Sequence, residues 1–127
     1  MVLKVLIVED EPLIGLDLAN LVEELGYEVA GPVISFQSAM AAAADGPPHL
    51  AIVDVNLTDG PTGPLIASRL ANSMGTEVLM VTANPNLVVE GVDGVAAVLT
   101  KPFDPIEVAA VLSLLAARHE ANGSDKR

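Results

Sequence analysis

The sequence predicts an α/β fold: a doubly wound, five-stranded parallel sheet covered on both faces by five helices. Two observations carry this. Five short runs rich in aliphatic residues fall at 1–8, 28–31, 50–55, 77–81 and 95–99, and each is followed by a segment with helical spacing or helix-start signals. Strands that are apolar along their whole length belong in a parallel sheet buried on both faces. Their alternation with helices, joined by right-handed crossovers, makes the sheet doubly wound.

The elements follow in order. Residues 1–8, MVLKVLIV, are halted by Glu9, as a buried strand would be. Pro12 sits where a helix can begin, because proline tolerates the first turn. Ile14, Leu18, Leu21 and Leu25 recur on one helical face, and Gly26 closes the helix. Residues 28–31 make a brief second strand. Residues 36–44 make a short alanine-rich helix that ends at Asp45-Gly46-Pro47-Pro48. LAIVDV at 50–55 is the third strand, and a loop rich in Asp, Gly, Pro and Thr follows at 56–64. A third helix covers 65–72 and a fourth strand 77–81. Asn84-Pro85-Asn86 opens a weak fourth helix that Gly91 and Gly94 interrupt. After the fifth strand at 95–99, Asp104-Pro105 reads as an N-cap followed by proline at the first helical position. This last helix is expected to run to about His119. The expected organisation is one domain over 1–119 and a flexible polar tail, EANGSDKR, over 120–127.

Composition narrows the function. A chain of 127 residues fits a single domain. A hydrophobic fraction of 51% and a mean hydropathy of +0.51 exclude a disordered chain. Tyr27, Phe36 and Phe103 are its only aromatic residues, so the core is aliphatic and offers bases or sugars little to stack on. Six basic against seventeen acidic residues give a formal net charge of −11. Such a surface repels phosphate backbones and anionic membranes, so no direct nucleic-acid or membrane contact is expected. The absence of cysteine excludes thiol catalysis, thiolate metal sites and disulfides, and it fits a reducing cytoplasm. The first apolar run is too short for a signal peptide, and no stretch approaches the ~20 apolar residues of a membrane span.

Sites in doubly wound sheets lie at the carboxyl ends of the strands. The polar residues there are Glu9-Asp10-Glu11 after strand one, Asp54 at strand three, Thr82 after strand four and Lys101 after strand five. Asp54 has apolar neighbours on both sides, and a buried carboxylate must be paired or bind a metal. Glu9 and Asp10 facing Asp54 repel one another unless a cation lies among them, and hard oxygen donors suit Mg²⁺. Taken singly, Asp54 could cap the following loop, the acidic run could be a solvated cluster, Thr82 a helix cap and Lys101 a surface lysine. Together they fall on the appropriate strand ends in the appropriate order.

Val8-Glu9-Asp10-Glu11, Asp54, Thr82-Ala83 and Lys101-Pro102-Phe103 resemble the signature of two-component response-regulator receiver domains, over roughly residues 3–118. The resemblance implies the flavodoxin-like receiver fold. It implies a phosphoacceptor, Asp54, that takes a phosphoryl group from a histidine kinase or histidine phosphotransferase. It implies Mg²⁺ held by Glu9, Asp10, Asp54 and the backbone carbonyl of Asn56, with Asp10 as a direct ligand. Thr82 and Lys101 would touch the phosphoryl oxygens. Leu13, Leu16 and Pro105 would contact the kinase or phosphotransferase. A homodimer face would be built from the fourth helix, fifth strand and fifth helix. The chain is expected to be a stand-alone receiver catalysing only its own phosphorylation and dephosphorylation, with a downstream protein effector that the sequence does not identify.

The pattern departs from the family in three places. Val98 stands where many receivers carry an aromatic residue that flips on activation. The span from Thr82 to Lys101 is short, which weakens the dimer face. Asp59-Gly60-Pro61-Thr62-Gly63-Pro64 replaces the usual methionine-proline pattern, and its prolines should stiffen the loop. The last helix carries two apolar stripes, Val108/Val111/Leu112/Leu115 and Ile106/Ala110/Leu114/Ala117; one packs on the sheet and the other is either core or a docking face. Two other readings compete. One is a protein-binding module that is not phosphorylated. The other is an aspartyl-phosphate-forming phosphatase, suggested by Asp54-Val55-Asn56-Leu57-Thr58, in which Asn56 stands where the general acid would be.

Overall fold

The structure, a computed structural model, describes residues 2–83 and 94–125, the last three by backbone alone. Five strands, β1 (Lys4–Val8), β2 (Glu28–Val33), β3 (Leu50–Asp54), β4 (Glu77–Thr82) and β5 (Val95–Thr100), form one parallel sheet in the order β2-β1-β3-β4-β5. Four helices are present among the described residues: α1 (Pro12–Glu24), α2 (Phe36–Asp45), α3 (Gly63–Met74) and α4 (Pro105–Asp125). The helix expected after Asn84 lies outside the described residues. The strand order reverses between β1 and β3, which makes a crevice at their carboxyl ends.

Side chains alternate along the central strands and divide the core. Leu6, Val8, Ala51, Val53, Val78 and Met80 point to α2 and α3, where they meet Ala39, Ala43, Ile66, Ala67 and Leu70. Val5, Ile7, Leu50, Ile52, Leu79 and Val81 point to α1 and α4, where they meet Leu18, Val22, Val108, Leu112 and Leu115. The two faces of the α4 pattern separate as their spacing implies. Val108 and Leu112 are fully buried, whereas Ile106 and Leu114 are 78% and 68% exposed. On α1 the buried line is Gly15, Leu18 and Val22, and the expected Ile14 and Leu21 flank it while Leu25 lies open to solvent.

Several boundaries differ from expectation. β2 continues past Gly31 to Val33, because its edge position tolerates Pro32. Gly31 is required there: its φ is +88°, and a Cβ would strike the carbonyl of Ile7 across the bulge. The Gly31–Pro32 and Lys101–Pro102 peptides are both cis. α3 begins at Gly63 rather than residue 65. α4 continues to Asp125, past the expected end near His119, so 120–125 are helical. Arg118 and Asn122 bond Glu77 on the sheet at 3.3 and 3.2 Å and anchor those added turns. Among the described residues no helix is long and apolar enough to cross a membrane.

Candidate functional site

The carboxyl ends of β1, β3, β4 and β5 bring the expected residues together around a cleft of about 320 Å³ lined by Asp10, Glu11, Asp54, Asn56, Ala83 and Lys101, among others. Register places them. Val8 pairs with Val33 and Val53, so Glu9 and Asp54 leave the sheet side by side. The Lys101 N–H donates to the Thr82 carbonyl at 2.8 Å and closes the β4–β5 end. Asp54 and Thr82 are buried, Asp10 is half-buried and Asn56 is exposed.

Lys101 reaches from β5 to both carboxylates. Its Nζ lies 2.9 Å from Asp54 Oδ2 and 2.8 Å from Glu9 Oε1. Glu9 Oε2 accepts the N–H of Glu11 at 3.1 Å, so both Glu9 oxygens are engaged. Glu9, Asp10 and Asp54 each offer a carboxylate oxygen, and these oxygens lie within 4.8 Å of one another. Two acids share one ammonium, and the charge states reflect it. Burial pushes the Glu9 carboxyl up, reinforced by the Asp54 charge and opposed by Lys101 and the Glu11 N–H. Burial draws the Lys101 ammonium down, but its hydrogen bonds to Glu9 and Asp54 and their charges outweigh this, so its pKa is raised.

The loop after Asp54 is tied to α2. Leu57 and Gly60 bridge across it. Asp59 Oδ2 accepts the Phe36 N–H at 3.0 Å and Oδ1 accepts the Thr62 hydroxyl at 2.7 Å. These bonds, Thr62 first, hold the Asp59 carboxyl below the usual range. Asp59 and Gly63 are the residues that sequence reasoning missed. Gly63 donates to the Val55 carbonyl at 3.0 Å and packs so closely on Asp54 that a Cβ would strike the Asp54 carbonyl. Its signal was the glycine one residue before Pro64 at the start of a helical pattern.

The family model described as the response regulator receiver domain matches residues 5–113. The chain is 37% identical over 115 residues to the phyllosphere-induced regulator PhyR of Methylorubrum extorquens, covering 89% of this chain and 43% of that protein. It is 35% identical over 118 residues to the transcriptional regulatory protein PdtaR of Mycobacterium tuberculosis, covering 91% and 57%. It therefore spans about half the length of these relatives. The solution structure of the receiver domain of Erythrobacter litoralis PhyR superposes with a TM-score of 0.84 at 32% identity, covering 91% of this chain and 90% of that one. The crystal structure of the anti-anti-sigma factor PhyR from Bartonella quintana superposes with a TM-score of 0.86 at 27% identity, covering 100% and 52%. With a five-stranded parallel sheet in this order and a family match across most of its length, the chain belongs to the response-regulator receiver domain family.

Proposed function

We propose that this chain is a phosphoacceptor switch in which Asp54 takes a phosphoryl group from the phosphohistidine of a histidine kinase or histidine phosphotransferase. The observation that carries this reading is the buried Asp54 carboxylate, 2.9 Å from an ammonium and beside two further carboxylates in an open cleft. An Asp54 oxygen attacks phosphorus, the P–N bond breaks, and its electron pair goes to the imidazole nitrogen. Such transfers need positioning and charge neutralisation more than covalent help. Glu9, Asp10 and Asp54 supply hard oxygen donors that fit Mg²⁺, and the Asn56 carbonyl would complete the set. Bound there, Mg²⁺ would screen the negative charge of the attacking carboxylate and the phosphoryl oxygens. Lys101 and the Thr82 hydroxyl hold the phosphoryl group on Asp54. Drawing Thr82 inward moves the loop after β4, and the altered surface signals to a protein partner or the phosphoryl group is relayed onward. The chain catalyses only its own phosphorylation and dephosphorylation, in the cytoplasm.

The kinase or phosphotransferase docks at a groove of about 720 Å³ between α1 and the β5–α4 connection. Ile14, Leu21, Phe103 and Pro105 line it, with Asp17 and Glu24 beside them. Leu13 and Leu16 stand exposed on the same helix. An apolar floor with an acidic edge suits an amphipathic helix with a basic flank. The effector is a protein rather than DNA, in keeping with the net charge of −11 and with the similarity to the anti-anti-sigma factor PhyR of Bartonella quintana.

Intact-protein mass spectrometry after incubation with acetyl phosphate, and then with a phosphorylated histidine kinase, tests the reading. An added phosphoryl mass should need both Mg²⁺ and Asp54 and be absent from Asp54→Asn. No added mass from either donor overturns it and leaves an unphosphorylated binding module.

A further inference from the structure

The sheet edge opposite the acidic cleft is held by different groups. His49 lies just before β3 and joins three strands. Its backbone N–H donates to the Lys4 carbonyl at 3.0 Å, and its carbonyl accepts the Glu77 N–H at 3.1 Å. Its ring Nδ1 accepts the Lys4 N–H at 2.8 Å. That bond requires a lone pair on Nδ1, so the neutral ring carries its proton on Nε2. The His119 ring of α4 stands edge-on to the His49 ring with centroids 5.1 Å apart. The carboxylate of Glu77 takes Arg118 and Asn122 from the same end of α4. His119, Arg118 and Asn122 thus moor the last turns of α4 to the base of the sheet.

We propose that this mooring contains a proton-operated latch: a proton on Nδ1 of His49 turns its acceptor into a donor facing the Lys4 N–H, displaces the ring, and loosens the edge-on contact through which His49 holds His119 of α4. Charge acts in the same direction. The groups around His49 are Lys4 of β1, Glu28 of β2, Glu77 of β4 and His119 of α4. Glu28 is engaged with Lys4 at 3.7 Å, and Glu77 with Arg118 at 3.3 Å, so neither anion is reserved for an imidazolium. Burial first, and then the charge of Glu120, push the Tyr27 phenol up. Burial, then His119 and Lys4, hold the His49 imidazole below the ordinary histidine range, with Glu28 opposing. The folded chain therefore resists a proton that the unfolded or detached segment accepts. The latch is closed above the ordinary histidine pKa and weakens as the pH falls below it toward the lowered value. The helix it frees also carries the exposed Ile106 and Leu114.

Hydrogen exchange read by mass spectrometry on the full chain, corrected for intrinsic rates, tests this at pH 7.5 and pH 5.0. Peptides from the end of α4 should lose protection by roughly fivefold at the lower pH, the scale of one lost buried hydrogen bond, while α1 peptides hold theirs. His49→Asn places a non-titrating acceptor where Nδ1 stood and should show equal α4 protection at both pH values. Unchanged wild-type protection, or an equal loss in His49→Asn, overturns the latch. Should that variant not fold, NMR titration of the wild-type His49 ring decides: an Nε2–H tautomer with a midpoint below the ordinary histidine value supports the latch, and an Nδ1–H tautomer or an ordinary midpoint overturns it.

Discussion

Lys101 stands between two carboxylates and satisfies neither alone. Because the Glu9 carboxyl is pushed up in the folded chain, this group makes the metal-free fold more stable as the pH falls through that raised value toward the ordinary carboxylate range. Glu9→Gln removes a charge and leaves one acceptor oxygen where Lys101 and the Glu11 N–H each held one. Its metal-free thermal midpoint should therefore depend less on pH between neutral and the ordinary carboxylate range, and its stabilisation by added Mg²⁺ should shrink. Calorimetry at two pH values with and without Mg²⁺ reads both, and an unchanged pH dependence contradicts the charge argument. Lys101→Ala should leave some phosphorylation on Asp54 but remove the phosphorylation-dependent shifts at Thr82, as followed by NMR. At this scale the sequence was largely legible. Asp54, Glu9, Asp10 and Lys101 are polar residues interrupting or ending apolar runs, and the topology brings them together. The sharing of Lys101 was not legible, because it depends on how far a Glu side chain reaches from β1 toward β5.

Helix α4 shows how much of an element its periodicity reveals. The line through Val108 and Leu112 is buried and the line through Ile106 and Leu114 is not. Leu112→Ala should cost about 2–5 kcal/mol of stability by the cavity it leaves, and Leu114→Ala within about 0.5 kcal/mol, as measured by urea denaturation. The helix ends were less legible. The last turns of α4 are polar in sequence and are held by Glu77, a partner more than forty residues away in the chain. The start of α3 at Gly63 depends on a contact with the Asp54 backbone. Gly63→Ala should lower the thermal midpoint and slow phosphorylation together, since its Cβ would displace the Asp54 carbonyl. Asp59→Ala should loosen the first turn of α2, visible as faster exchange at its leading amides.

Across the whole molecule, a net charge of −11 works against compaction. Adding salt up to physiological strength should raise the thermal midpoint by screening that repulsion, and millimolar Mg²⁺ should raise it further than an equal ionic strength of NaCl. The parallel sheet was predictable because buried β-branched strands leave few alternatives. The strand order was not, because apolar runs of similar composition could be arranged in several ways. The two-sided core has a consequence for how this domain tolerates change. The strands form a partition whose two faces repack independently. Leu70→Ala beneath α3 and Leu112→Ala beneath α4 should then have additive effects, whereas Leu18→Ala and Leu112→Ala, which share one side, should couple. Sequence drift within either half of the core is thus constrained by that half alone, so one side of the molecule can diverge while the other stays fixed.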